Sequence, residues 1–224
     1  MRNFFSWDGP LLRTFDRIGK LIVLSLAWLV CSLPVVTMGY AFTAMYHATV
    51  KTVRFDRGYV LPEFFRCLVR TRKQGILCSL LYTGALVLLS LDTYVWYRAG
   101  TRQGLSLAFV CGALTVFAAL FGIYLFALIS RFDYGLKDLF KMAAFLEFKY
   151  LHVTFGIGLA VLAGLVCLYL SYWFCLIIPG AVTLIISCML ETILKKIIPD
   201  PENGRREWYD EEKKEEQNAF EESI

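Results

Sequence analysis

Hydrophobic positions along this chain come in long blocks separated by short clusters of arginine and lysine. Residues 105–130 contain no charged side chain, and residues 75–91, 151–170 and 172–190 read the same way. A helix rises 1.5 Å per residue, so the first block alone can cross a hydrocarbon core of about 30 Å with tilt to spare. The pattern predicts an all-α polytopic membrane protein, because a soluble domain of 224 residues could not hide so much apolar surface.

Loop charge orients the crossings, since arginine and lysine stay on the cytoplasmic side. Residues 51–73 carry Lys51, Arg54, Arg57, Arg66, Arg70, Arg72 and Lys73, and residues 131–149 are basic again. The connection at 94–103 is aromatic-rich with only Arg98 and Arg102, which suits an outer interface. The turn at 171–173 is uncharged, and Lys195 and Lys196 follow the last apolar block. Four crossings and a cytoplasmic C-terminus follow. The N-terminal stretch 18–50 is too long for one ordinary span and is interrupted by Pro34 and Gly39. It reads either as one kinked helix, giving five spans and an outside N-terminus, or as a hairpin of two short helices turning at Leu33-Pro34. The charge rule favours the hairpin, hence six spans with both termini inside. Its halves are short enough for local bilayer thinning or re-entrant penetration.

The two basic segments resemble each other. Arg54-Phe55-Asp56-Arg57-Gly58 is followed by Glu63-Phe64-Phe65-Arg66, and Arg131-Phe132-Asp133-Tyr134-Gly135 by Asp138-Leu139-Phe140-Lys141. This is the trace expected of an internal parallel repeat. Asp56 and Asp133, each two residues before Gly58 or Gly135, fit turns in which a carboxylate bonds nearby backbone N–H groups and glycine takes a left-handed conformation. Each segment continues as an amphipathic helix. Leu61, Phe64, Phe65, Leu68 and Val69 would form one apolar face, with Arg66, Arg70 and Lys73 pointing away. Leu136, Leu139, Phe140, Ala143 and Ala144, beside Lys141, repeat the spacing. Such helices lie in the headgroup plane. They serve either as connectors or as docking surfaces for a partner.

Composition adds less than pattern. Hydrophobic residues are 58% of the chain, and the net charge of +4 hides a segregation of charge. The basic residues flank apolar spans at headgroup depth, so they point to membrane lipids rather than nucleic acid. The seven cysteines are scattered among apolar residues, with no CxxC pair and no histidine at metal-ligand spacing. No HExxH, GxSxG or GxxxxGK[ST] motif occurs, so neither a catalytic site, a metal nor a cofactor is expected. Gly156, Ala160 and Gly164 recur at four-residue spacing, a small-residue face for close helix packing. Tyr94, Trp96, Tyr97, Tyr169, Tyr172 and Trp173 fit an aromatic belt at the outer interface. Residues 1–198 read as the membrane domain. Residues 199–224 read as a charged cytoplasmic tail, either solvated or folded back onto a basic surface.

One run is more specific than hydropathy. Leu26-Ala27-Trp28-Leu29-Val30-Cys31-Ser32-Leu33-Pro34-Val35-Val36-Thr37-Met38-Gly39, then Thr43-Ala44-Met45-Tyr46, is preceded by Arg17-Ile18-Gly19-Lys20 and followed by the segment from Gly58 to Phe65. This resembles the YesL family of bacterial integral membrane proteins over the first hundred residues, and beyond them through the pattern of spans. The family's genes tend to lie beside carbohydrate ABC importers, solute-binding lipoproteins and glycoside hydrolases in Gram-positive bacteria. The resemblance therefore implies a cell-membrane accessory to oligosaccharide uptake, with permease subunits and their ATPase as partners. It supplies no catalytic residue. Pro34, Thr37 and Gly39 belong to its defining run, whose role could be the hairpin turn alone.

Overall fold

In lipid a backbone must satisfy its own hydrogen bonds, and the apolar runs do so as helices. The computed structural model describes residues 10–54, 58–132, 135–170 and 176–197. Asp56, Arg57, Asp133, Tyr172, Trp173, Cys175 and the charged tail lie outside the described residues, and with them the expectations attached to them. Seven α-helices account for nearly all the described chain: α1 (Pro10–Cys31), α2 (Met38–Ala48), α3 (Val60–Arg98), α4 (Arg102–Arg131), α5 (Leu136–Lys149), α6 (Leu151–Leu170) and α7 (Ile178–Ile197). A 3-10 turn (Val35–Thr37) precedes α2, and a π-helical turn (Thr49–Arg54) extends it. Among the described residues, α3, α4 and α6 are long and apolar enough to cross a membrane, and residues 178–194 of α7 form a shorter apolar helix.

The centre is a tight antiparallel pair, α3 and α4. Only Ala99, Gly100 and Thr101 join them. Gly100 has φ +65°, a left-handed conformation that suits glycine, and the Thr101 hydroxyl caps α4 by accepting from the Gly104 N–H at 3.1 Å. Further down, the Tyr82 hydroxyl donates to the Ala118 carbonyl at 3.0 Å, and its ring occupies the space a side chain at Gly122 would need.

The N-terminal stretch is a hairpin. α1 stops at Cys31, and Leu24 packs in one cluster with Ala44 and Ala48 of the returning α2. Thr37 makes the turn: its hydroxyl lies 2.7 Å from the Cys31 carbonyl and 2.8 Å from that of Pro34, satisfying groups left open where α1 ends. At Gly39 the chain comes so close to the Phe126 ring that a Cβ would not fit. The hairpin is shallow. The Val36 carbonyl accepts from the Ser79 hydroxyl, and α3 continues for nineteen residues beyond Ser79 to Arg98, about 28 Å of helix.

Burial is uneven along the bundle axis. Every residue from Tyr124 to Phe132 is buried, together with Leu139, Ala143 and Leu146 of α5 and Ile186, Leu190, Ile193 and Leu194 of α7. A second cluster joins Leu24, Ala44, Met45, Ala48, Val60, Phe64 and Cys67. Towards the α3–α4 turn, Val87, Leu88, Leu91, Leu105, Phe109 and Val110 are exposed, as expected of surface that meets acyl chains. The protein core therefore sits at the basic end, and the far half of the α3–α4 pair exposes apolar side chains.

Candidate functional site

The basic end concentrates nearly all the buried polar chemistry described. Glu63, in the first turn of α3 and before its apolar stretch, is 5% exposed although it carries a carboxylate. Two cations and an imidazole, from two directions, make this tolerable. Lys51 Nζ and Arg66 Nη1 each stand 3.0 Å from one of its oxygens, and His47 Nε2 is 3.7 Å away. His47 and Lys51 are four residues apart, so the end of α2 and its π-helical extension present both to Glu63. His47, then Lys51, holds the Glu63 carboxyl down at about 2 against the opposing effect of burial.

A second ionic pair lies deeper. Arg131, the last residue of α4, places Nη1 2.6 Å from Oε1 of Glu191 on α7, with both side chains nearly inaccessible. The Tyr46 hydroxyl reaches the same oxygen at 3.4 Å. One turn away on α7, the Ser187 carbonyl accepts from Arg54 Nη1 at 3.0 Å. The arginines of the two similar sequence segments thus grip adjacent turns of one helix. Glu191 directly follows the apolar block 172–190, a position that predicts contact with water; at 2% exposure it is instead shut into a bundle contact.

Glu147 on α5 is the exception to this neutralisation. It is 1% exposed, its Oε1 finds no hydrogen-bond partner, and burial pushes its carboxyl up to about 7. Tyr82 and Tyr124 are within electrostatic reach, and Thr154, bonded to Tyr124 at 2.9 Å, donates to the Glu147 main-chain carbonyl.

The first amphipathic helix is rotated from its sequence expectation. Its inner face is Val60, Glu63, Phe64, Cys67 and Thr71, whereas Leu61, Phe65 and Val69 are 45%, 52% and 72% exposed. Glu63 takes the inner position because its cations accompany it, a circumstance hydropathy cannot register. The signal available was the His47–Lys51 spacing followed by an acid. Arg66 and Arg70 lie on the outer side. On α5, Leu139 is buried, Phe140 stands at the boundary of exposure against Phe121, and Lys141 is exposed. Gly58 has φ +72°, while Gly135 has φ −61° and caps α5 in an extended conformation, so the two loops differ in the turn. Gly156 and Gly164 face α7, where added Cβ atoms would run into Met189 and Val182, and Ala160 between them is half-buried.

Beyond the hairpin turn an apolar groove of about 560 Å³ opens between the two halves of the bundle. Trp28, Met38 and Phe42 form one side, and Thr83, Val87 and Ile123 are on the other. Among the described residues no cluster of three or more histidines, cysteines or acids could hold a metal ion.

A family model described as "Protein of unknown function, DUF624" matches residues 21–93. The match begins within α1 and ends near the top of α3, so it takes in the Thr37 turn, the π-helical turn and the Glu63 cluster. No curated protein and no solved structure matches the chain.

Proposed function

We propose that this protein is a non-enzymatic accessory subunit of a carbohydrate ABC importer in a bacterial cell membrane. Its spans pack against the permease pair, and its basic end meets permease loops or the ATPase. The observation that carries this reading is the row Tyr59, Leu61, Phe65 and Val69. It is exposed on the first turns of α3, before the helix enters its apolar stretch, with Arg66 and Arg70 beside it. An apolar row bordered by arginine outside the hydrocarbon is suited to a protein partner. The resemblance to the YesL family, which carries the DUF624 domain, supplies the kind of partner. The buried acids support a structural role for the site, since Glu63 and Glu191 are both tied to basic side chains. The alternative reading, a stand-alone transporter or channel for a sugar-related solute, would need such an acid facing a pathway, and Asp92, the acid that follows the apolar block 75–91, is exposed at the far end of α3.

In this reading the basic end is cytoplasmic. α3, α4, α6 and α7 cross the bilayer, and α1–α2 enters and leaves from the cytoplasmic side. Purification of the tagged chain in mild detergent or nanodiscs should recover permease and ATPase chains. Phe65→Glu with Val69→Glu should release them while leaving the protein folded. Recovery of the bait alone under every mild condition refutes the assignment.

A further inference from the structure

We propose that an anionic phospholipid of the leaflet at the basic end binds along α3. Its phosphate rests on Arg72 and Lys73, and one acyl chain runs into the groove beyond the α1–α2 turn. The hairpin stops level with Ser79, so the α3–α4 pair continues without it. That step is what opens the groove, and its volume of about 560 Å³ lies in the range of ligand pockets. Its walls are almost wholly aliphatic and aromatic, and most of them lie on α3 and α4, which are long and apolar enough to cross a membrane.

The charged end of the site follows from helix geometry. Positions 73, 76, 80, 83, 87 and 91 are separated by steps of three and four and therefore share one face of α3. Lys73, Ile76, Leu80, Val87 and Leu91 are exposed, and Thr83 and Val87 belong to the groove. Arg72 flanks the foot of this stripe, where residues 69–74 form a recess of about 280 Å³. Thr83 lies ten residues beyond Lys73, about 15 Å along the helix, or half the thickness of a hydrocarbon core. A chain anchored at the arginine and lysine thus passes Ile76 and Leu80 and enters the groove with its far half.

Charge selects the headgroup. Arg72 and Lys73 are exposed, among the described residues no carboxylate pairs with either, and Glu63, the closest acid in sequence, is already held by Lys51, Arg66 and His47. A zwitterionic lipid offers the same phosphate, but its own ammonium stands beside the two basic groups and offsets much of that attraction. A free phosphate ester would gain only the charge contacts. A partner's membrane helix could fill the groove but would leave the two cations at headgroup depth without their anion.

The test uses the full-length chain, delipidated in detergent and titrated with phosphatidylglycerol, phosphatidylcholine of the same chains, or glycerol 3-phosphate, with bound species counted by native mass spectrometry. Phosphatidylglycerol should bind about thirtyfold more tightly than phosphatidylcholine, as expected for two basic groups at a membrane surface. Arg72→Ala with Lys73→Ala should bring the ratio close to one. Val87→Trp, which fills the groove from an exposed position, should weaken both lipids, and glycerol 3-phosphate should not be retained. Equal binding of the two lipids by the unaltered protein overturns the proposal, as does a Val87→Trp variant that binds phosphatidylglycerol as before. A benzophenone side chain at position 87, activated in native membranes, should yield an adduct of phospholipid mass. An adduct of protein mass assigns the groove to a partner helix and also overturns it.

Discussion

Arg131 and Glu191 show what a buried ion pair contributes. Each charge loses its water, so the pair is tolerated because its 2.6 Å contact offsets the loss, and removing one partner strands the other. Arg131→Ala or Glu191→Ala should destabilise the protein by about 3–5 kcal/mol. Replacing both by Met and Leu should recover much of that, as measured by unfolding in detergent. Glu147 and Glu63 depend on pH in opposite senses. Glu63 is held at about 2 against an ordinary 4.5, so its stabilisation is present above pH 4.5 and is lost as pH falls towards 2. Glu147 is raised to about 7, so the folded state binds its proton more tightly than the unfolded chain does. Stability therefore falls as pH rises from about 4.5 to 7. Glu147→Gln should abolish that slope and raise stability at pH 8 by about 3 kcal/mol at most. A Glu147→Gln variant whose melting temperature still falls between pH 5 and 8 as the unaltered protein's does would count against the burial argument.

Among the elements, α3, α4 and α6 were legible in the sequence because residues 75–91, 105–130 and 151–170 hold no acid, arginine or lysine. The hairpin was legible as one of two readings, and Pro34, Thr37 and Gly39 now have separate parts. Pro34 breaks the helix, Thr37 bonds the freed carbonyls, and Gly39 lets α2 approach Phe126. The inner face of the first amphipathic helix was not legible. Its decisive residue, Glu63, is polar, and the groups that neutralise it arrive from α2 and the π-helical turn. The break at Tyr150 between α5 and α6 was legible as the change from the basic segment 131–149 to the apolar block 151–170, although neither glycine nor proline marks it. The packing of α6 on α7 gives a direct test. Gly164→Leu must displace Val182 and Ile178, and Gly156→Leu must displace Met189. Each should cost about 1–3 kcal/mol, and Gly84→Leu, where nothing lies within 4 Å of an added Cβ, should cost little.

On the scale of the whole molecule, the chain is anchored at one end. Both hydrophobic clusters and the ionic pairs gather at the basic end, while the other end of α3 and α4 is largely exposed apolar surface. Such a body needs only part of the bilayer to hold α1 and α2. The turn at Thr37 is level with Ser79, and after Asp16, Arg17 and Lys20 only the eleven residues Leu21–Cys31 of α1 remain, too few to cross. Single cysteines in a cysteine-free background, probed in intact cells with a membrane-impermeant reagent, measure this depth. A cysteine at Arg98 should react, because it closes α3 at the turn opposite the basic end. One at Arg17 should be spared. One at Leu33, exposed in the hairpin turn, should be spared in cells and react in inside-out vesicles if the hairpin is re-entrant. Reaction at Leu33 in intact cells, as fast as at Arg98, would instead mean that α1 and α2 both cross. The shallow hairpin would then be wrong, and with it the step on which the lipid groove depends.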